Sequence, residues 1–266
     1  MPGKPTADYT ALDRPEVLSF LFHPRKEFET HSPAAAAQDI FIRVEESVDI
    51  GGRFHMAHPD GANILFFHGN GEIVADYDEL GTVYTRMGIN FMPVDYRGYG
   101  RSSGQPTVTS MMKDCHTILE FTLSWLQANG FAGPLILMGR SLGSASALEL
   151  SCCCPDKIDA LIIESGFAYA GPLLQLLGIN LAAIGFREED GFGNADKIGK
   201  FKKPTLVIHA EYDHIIPFSD GQALFDTCPS PDKTLLKIPG ANHNDIFMRG
   251  MSEYLKAVKK LAEGLL

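Results

Sequence analysis

The amino-acid sequence predicts an α/β fold in which a mostly parallel sheet is covered by helices on both faces. Short apolar runs bounded by Gly, Pro or Asn alternate with longer segments of helical periodicity, which is typical of strands joined by crossover helices. Most of these runs are apolar throughout, as expected for strands that are buried on both faces. A chain of 266 residues suits one such unit with a single large core.

Eight strands and five helices follow from this alternation. The strands are predicted at 40–48, 53–58, 62–67, 89–94, 135–138, 160–163, 205–209 and 234–238, and the first two form an antiparallel pair that turns at Gly51-Gly52. The helices are predicted at 74–87, 109–129, 141–152, 218–227 and 247–264. In the last helix, apolar residues recur every three or four positions, so one face should pack on the sheet.

One folded domain is predicted over residues 39–266. Residues 1–38 contain several prolines and form an N-terminal extension, which we expect to wrap the edge of the sheet. Residues 165–186 carry no charged side chain and are nominally long enough to cross a bilayer. Glycines, Pro172 and Asn180 interrupt this stretch, and it lies between two predicted strands, so we expect no transmembrane segment.

Composition and charge exclude several classes of protein. Apolar residues make up 45% of the chain and charged residues 21%, which is ordinary globular usage and argues against a disordered or fibrous protein. The net charge of −10 repels nucleic acid and anionic membrane surfaces. We therefore expect a small-molecule or acyl substrate, no nucleic-acid partner, and a monomer or homodimer.

The cysteines predict neither a disulfide framework nor a metal site. Three of the five are consecutive, at Cys152, Cys153 and Cys154, and neither a CxxC pattern nor a nearby histidine pair completes a ligand set. No metal is expected. The N-terminus lacks the basic-then-apolar order of a secretory signal, so we expect a cytoplasmic protein.

Residues 139–143 carry the pattern Gly-x-Ser-x-Gly with Ser141 at its centre. The pattern follows a predicted strand and opens a predicted helix, which is the context of a nucleophile elbow. The turn is so tight that side chains at its flanks would collide, which explains the two glycines. Ser141 is therefore the candidate nucleophile.

A serine nucleophile requires an imidazole to take its proton and a carboxylate to orient that imidazole. Asp213 and His243 each fall in a loop just past a predicted strand, at the same sheet edge as Ser141. We predict Asp213 as the acid and His243 as the base. Three other carboxylates could serve instead of Asp213, namely Glu164, Glu211 and Asp245.

An oxyanion hole requires backbone N–H groups that point to the position where negative charge develops. The N–H of Leu142, directly after the nucleophile, supplies one donor. The second donor is predicted to be the N–H of Asn70, in the loop that follows the strand at 62–67, with Gly71 as the alternative.

Together these motifs resemble the α/β-hydrolase superfamily from about residue 40 onwards. They look most like its small branch without a large cap domain, which includes depalmitoylase-like serine hydrolases. The resemblance rests on HGNG at 68–71, DYRGYGRS at 95–102, GRSLG at 139–143, the loop of Asp213 and HND at 243–245.

The resemblance implies an α/β-hydrolase fold and a serine hydrolase that cleaves ester or thioester bonds through an acyl-enzyme, without a metal or organic cofactor. It also implies that a lid-like segment at about 165–200 covers the nucleophile, and the apolar composition of 165–186 favours an apolar acyl group. The alternative for this segment is a short amphipathic piece that packs on the sheet or forms a dimer contact. A serine peptidase, an acyltransferase and a non-catalytic binding protein of the same fold are the alternatives.

Overall fold

Eight strands are present in residues 8–27 and 37–266, the part of the chain that the computed structural model describes. They are β1 (Ala37–Glu45), β2 (Val48–His55), β3 (Asn63–Phe67), β4 (Asn90–Val94), β5 (Leu135–Arg140), β6 (Ala160–Glu164), β7 (Thr205–Ala210) and β8 (Lys233–Ile238). They form one sheet in the order β1-β2-β4-β3-β5-β6-β7-β8. Only the β1–β2 and β2–β4 pairs are antiparallel, so the predicted eight-stranded, mostly parallel sheet is confirmed.

Helices cover both faces of this sheet. They are α1 (Pro15–Leu21), α2 (Asp78–Arg86), α3 (Val108–Ala128), α4 (Gly143–Cys153), α5 (Ala170–Leu176), α6 (Leu181–Ile184), α7 (Asn194–Ile198), α8 (Phe218–Thr227) and α9 (Ile246–Glu263). Side chains alternate along β3, so that Leu65 and Phe67 join one core cluster with α3 and α4, whereas Ile64 and Phe66 join a second cluster with α2 and α9. The sheet is thus buried on both faces, as its apolar strands predict.

The predicted turn at Gly51-Gly52 is wrong. Both glycines lie inside β2, and the chain turns at residues 46–47 instead. A Cβ atom on Gly52 would lie 3.1 Å from Cγ1 of Ile40 on β1 and 3.2 Å from the carbonyl oxygen of Pro93 on β4. Gly52 therefore allows close approach between neighbouring strands, which is a second reason for glycine in a strand pattern.

The described part of the N-terminal segment packs on the core. Tyr9, Leu12 and Val17 are buried in the cluster that contains α3 and α4, and Lys26 forms a parallel bridge with Gly100. Of the predicted extension, residues 1–7 and 28–36 lie outside the described residues. The division between an extension and a domain at residue 38 stays a prediction.

The chain between β6 and β7 contains α5, α6, a 3-10 turn at Glu188–Asp190 and α7. It includes the predicted lid segment, and Leu176 is 57% exposed there. None of the helices in the described residues combines the length and apolar character needed to cross a membrane. At the sheet edge beside this segment, the carboxyl ends of the parallel strands β5, β7 and β8 meet.

Candidate active site

Ser141 stands on the sharp turn between β5 and α4. Its φ of 50° lies in the left-handed region, which is strained for a residue with a side chain. A Cβ atom on Gly139 would lie 2.4 Å from the carbonyl oxygen of Gly143, and one on Gly143 would lie 2.0 Å from that of Phe67. The elbow therefore depends on glycine at both flanks, as its sequence pattern predicts.

The structure brings Ser141, Asp213 and His243 together. Nε2 of His243 lies 3.0 Å from Oγ of Ser141, and Nδ1 of His243 lies 2.7 Å from Oδ2 of Asp213. All three side chains are largely buried. When Nδ1–H donates to the carboxylate, Nε2 is left as an acceptor that faces the serine hydroxyl. The arrangement can thus move a proton from the hydroxyl to the imidazole.

The carboxylate of Asp213 is held by its own loop. Its Oδ1 accepts the backbone N–H groups of Ile215 at 3.0 Å and Ile216 at 2.8 Å. Burial raises the pKa of this carboxyl, but the hydrogen bonds from His243 and the two N–H groups together lower it more, so the pKa lies below its ordinary value. Asp213 is therefore ionised at neutral pH.

The three alternative carboxylates have other partners. Glu164 bonds Arg140 and Tyr254, Glu211 bonds the N–H of Gly240 and the ammonium of Lys237, and Asp245 bonds Arg249 and the N–H of Asn242. Nδ1 of His243 faces Asp213 instead. Of the four candidate acids, Asp213 alone bonds the imidazole of His243.

His209 is a buried neighbour of the site that the sequence patterns do not indicate as catalytic. It is fully buried at the end of β7, where its Nε2–H donates to the carbonyl of Ile216 at 2.8 Å and lies 3.6 Å from Oδ2 of Asp213. Burial lowers the pKa of His209 below its ordinary value, so the ring is neutral. His209 thus holds the backbone of the Asp213 loop at Ile216 against the end of β7. Its position directly before that loop was the available signal.

Asn70 and Leu142 have backbone N–H groups without a hydrogen-bond partner in residues 8–27 and 37–266. Leu142 directly follows Ser141, and Asn70 lies in the loop after β3. Oδ1 of Asn70 accepts the N–H of His23 at 2.8 Å and the hydroxyl of Tyr99 at 2.6 Å, which fixes this loop against the N-terminal segment.

His68 supports the same loop. Its Nδ1 lies 2.8 Å from the carbonyl oxygen of Gly69, its Nε2 lies 3.2 Å from Oδ1 of Asp95, and its own carbonyl accepts the hydroxyl of Tyr96 at 2.6 Å. The ring is completely buried. His68 therefore holds the loop in place, and the stretch that begins at Asp95 acts as its scaffold.

A cavity of about 280 Å³ lies between the predicted lid segment and the loop of Asp213. Its wall is mainly apolar and consists of Phe167, Pro172, Leu173, Leu176, Asp213, His214, Ile215, Ile216, Pro217 and Asp220. A cavity of this lining and size suits an apolar group of modest length next to the acid of the site.

One group of potential metal ligands forms within the described residues. Donor atoms of His116, Glu149 and Cys153 lie within 4.8 Å of one another, on α3 and α4. Nζ of Lys197 lies 2.7 Å from Oε2 of Glu149 and neutralises its charge. Because hydrogen bonds and an ion pair already account for this cluster, we assign no metal to it.

The chain is similar to known hydrolases over most of its length. Residues 58–184 match a family model described as "Serine aminopeptidase, S33". The chain is 33% identical to human alpha/beta hydrolase domain-containing protein 17B over 208 residues, which are 74% of this chain and 65% of that protein. It is 30% identical to alpha/beta hydrolase domain-containing protein 17C of Xenopus tropicalis over 257 residues, which are 92% of this chain and 76% of that protein.

Solved structures share the fold. An esterase of Pyrococcus furiosus superimposes with a TM-score of 0.73 at 17% identity, covering 91% of this chain and 98% of that one. A soluble variant of monoglyceride lipase from Saccharomyces cerevisiae, in complex with a substrate analogue, superimposes with a TM-score of 0.67 at 18% identity, covering 88% and 98%. At these identities the likeness is one of fold alone.

Proposed function

The chain belongs to the α/β-hydrolase superfamily, and from this premise we propose that it is a serine hydrolase that cleaves carboxylic ester or thioester bonds through an acyl-enzyme. The observation that carries the proposal is the continuous hydrogen-bonded series from Asp213 through His243 to Ser141, with distances of 2.7 Å and 3.0 Å. The unpartnered N–H groups of Asn70 and Leu142 support it.

In the acylation step, Oγ of Ser141 attacks the substrate carbonyl carbon while Nε2 of His243 takes the hydroxyl proton. Ionised Asp213 stabilises the imidazolium that forms. The N–H groups of Asn70 and Leu142 stabilise the negative charge on the carbonyl oxygen. When the tetrahedral intermediate collapses, the bond to the alcohol or thiol breaks, and His243 gives that leaving group its proton.

In the deacylation step, a water molecule replaces the alcohol or thiol. His243 takes a proton from this water as the oxygen attacks the acyl carbon. The bond between that carbon and Oγ of Ser141 breaks, and Oγ receives the proton from His243. The products are a carboxylic acid and the free enzyme, so the reaction needs no metal or organic cofactor.

We propose an apolar acyl group because the cavity beside Asp213 is lined mainly by apolar side chains of the lid segment and the acid loop. Burial of an acyl chain there contributes about 25 cal/mol per Å² of apolar surface. A cytoplasmic location and a monomeric or homodimeric state remain predictions from the sequence.

A serine peptidase is the second candidate, because the matching family model is described as a serine aminopeptidase. Peptidase and acyltransferase reactions use the same three side chains and differ in the leaving group or the acceptor. A panel of p-nitrophenyl esters from acetate to palmitate, with an aminoacyl anilide and an acyl thioester, separates esterase, peptidase and thioesterase activities by their kcat/KM values. A preference for the anilide would favour the peptidase.

The decisive test replaces the nucleophile. Ser141→Ala should lower turnover of the best p-nitrophenyl ester by about 10³- to 10⁶-fold and abolish labelling by a fluorophosphonate probe, because no hydroxyl remains to attack. Ser146→Ala in α4 is the matched control, since its buried hydroxyl has no hydrogen-bond partner among the described residues. Unchanged activity in Ser141→Ala would refute the proposal, and absence of labelling in the wild-type protein would favour a non-catalytic binding protein.

A further inference from the structure

Arg140 occupies the variable position directly before the nucleophile, and its guanidinium contacts three separate parts of the site. Its Nε donates to Oε1 of Glu72 at 2.9 Å, its Nη1 to Oε1 of Glu164 at 3.2 Å and its Nη2 to the carbonyl oxygen of His243 at 3.1 Å. The residue is 8% exposed. A buried charge with three directed hydrogen bonds has a defined geometry.

The first contact reaches the loop that carries Asn70. Oε2 of Glu72 accepts the backbone N–H of Gly69 at 2.7 Å, so the carboxylate sets the direction of the loop just before Asn70. Burial raises the pKa of Glu72, but Arg140 and the hydrogen bonds on the carboxylate lower it below its ordinary value. Arg140 thus keeps Glu72 ionised and fixes its orientation.

The second contact reaches the strand beside the nucleophile. The backbone carbonyl of Glu164 accepts the N–H of Ser141 at 2.9 Å, while Oε2 of the same residue accepts the hydroxyl of Tyr254 at 2.6 Å. Tyr254 belongs to α9, the helix that follows the loop of His243. This contact therefore ties the elbow to β6 and α9.

The third contact reaches the backbone of the base itself. Because Nη2 binds the carbonyl oxygen of His243, Arg140 restrains the point from which the imidazole extends. A displacement of about 1 Å in such a group costs on the order of 10²-fold in rate. The hydrogen bond between His243 and Ser141 depends on this backbone position.

We propose that Arg140 is a positioning residue that holds the oxyanion loop, the nucleophile elbow and the histidine loop in one reactive geometry through its three simultaneous contacts. The inference rests on the proposed function, since it concerns the efficiency of that reaction. A planar guanidinium presents donors in several fixed directions, whereas a lysine ammonium is a single point of charge. Arginine is therefore specifically required at this position.

The test compares Arg140→Gln and Arg140→Lys with matched variants of Arg53 on β2. Arg53 is also buried and bonds two carboxylates, those of Asp39 and Asp78, and neither belongs to the site. Steady-state kinetics with the best ester gives kcat and KM separately, urea unfolding gives the stability of each variant, and fluorophosphonate labelling gives the rate of attack by Ser141.

We expect Arg140→Gln to lower kcat and the labelling rate by about 10²-fold and Arg140→Lys by about tenfold, with KM changed less than about threefold. Arg53→Gln should lose comparable stability while kcat stays within about twofold of wild type. Because stability and kcat are measured on the same samples, a merely structural role of Arg140 would lower the first without the second.

Equal kcat values in the Arg140 and Arg53 variants, or wild-type kcat in Arg140→Lys, would overturn the inference. If Arg140→Gln does not fold, the comparison of Arg140→Lys with Arg53→Lys decides in the same way. A wild-type protein that neither hydrolyses esters nor reacts with the probe would refute the proposed function. An active wild type with unimpaired Arg140 variants would refute the role of Arg140 alone.

Discussion

The carboxylate of Asp213 receives hydrogen bonds from one imidazole and two backbone N–H groups, and His209 closes the loop behind it. This environment keeps the group ionised despite burial. It also fixes the tautomer of His243. Because an ionised carboxylate can only accept a hydrogen bond, Nδ1 of His243 must carry the proton that it donates. The loop of Asp213 thus sets the protonation pattern on which proton transfer depends.

Asp213→Asn should therefore lower kcat by about 10³- to 10⁴-fold with little loss of stability, because the amide favours the wrong tautomer of His243. Glu211→Gln and Asp245→Asn are the controls. Glu211 lies in the loop of Asp213 and Asp245 in the loop of His243, and both carboxylates have partners other than the imidazole. Steady-state ester hydrolysis measures all three. A larger loss in either control than in Asp213→Asn would identify a different acid.

Ser141, Asp213 and His243 could be predicted from the sequence because each follows the carboxyl end of a parallel strand, and such ends share one edge of the sheet. The contacts of Arg140 could not, because Glu72, Glu164 and His243 come from two loops and the end of β6, which are distant in sequence. Their proximity depends on side-chain directions, which periodicity does not encode. The local sequence pattern therefore indicates the place of Ser141 but not the contacts of its neighbour Arg140.

The segment from α5 to α7 presents its apolar side chains in two ways. Leu174 is fully buried in the core, whereas Leu173 and Leu176 line the cavity beside the acid loop. A helix with one face on the core and another on a cavity is suited to contact an acyl chain.

Replacing Leu173 and Leu176 together by serine should lower kcat/KM for a long-chain p-nitrophenyl ester about tenfold relative to the acetate. The reason is that about 50 Å² of lost apolar contact, at about 25 cal/mol per Å², amounts to about 1.3 kcal/mol. Leu181→Ser in α6 is the control, because Leu181 does not line the cavity. An unchanged ratio of the two esters would place the acyl group elsewhere.

The N-terminal segment contacts the loop that carries Asn70 through both backbone and side chain. Nε of Arg25 donates to the carbonyl oxygen of Gly71 at 3.2 Å, and its Nη2 bonds Asp76. The backbone N–H of Gly100 donates to the carbonyl of Arg25 at 2.8 Å, so the N-terminal segment also contacts the stretch at 95–102. These contacts connect residues far apart in sequence to the candidate oxyanion donor.

Arg25→Gln should lower kcat by about two- to tenfold, because a loosened loop holds the N–H of Asn70 less firmly in the direction of the carbonyl oxygen. Stability should change by less than about 1 kcal/mol, since the ion pair is half exposed. Arg43→Gln removes a comparable exposed ion pair, that with Asp49, and should leave kcat unchanged. Equal kcat in both variants would exclude a contribution of the segment to the reaction.

The boundaries of helices and strands could be predicted where the spacing of apolar residues fits one type of element. β3, β4 and α8 match their predicted ranges within one residue. The turn of the first hairpin could not be predicted, because Gly51 and Gly52 favour a turn by local preference, whereas Ile40 and Pro93 pack closely against Gly52 inside the sheet. Contacts between neighbouring strands determine where this turn lies, and such contacts cannot be read from a single sequence.

At the scale of the whole molecule, two neutral histidines lie in the interior far apart in the fold. His55 on β2 and His209 on β7 both have pKa values that burial lowers below the ordinary value. A group with a lowered folded pKa contributes stability above its unfolded pKa and loses it as the pH falls toward the folded pKa. The protein should accordingly lose stability on acidification through the range in which free histidine gains a proton.

We expect the free energy of unfolding to fall as the pH drops below about 6.5, and to fall less steeply in His55→Gln and His209→Gln. Urea unfolding at several pH values between about 5 and 8 measures this slope. His58→Gln is the control, because His58 is largely exposed. An equal slope in all three variants and the wild type would show that other groups control the acid response.

The separation of 102 residues between Ser141 and His243 bears on synthesis of the protein. During translation Ser141 leaves the ribosome well ahead of His243, and Asp213 emerges between them. Under the proposed function, a nascent chain that ends before residue 243 carries the candidate nucleophile without its base. Such a chain should leave acyl compounds in its surroundings intact.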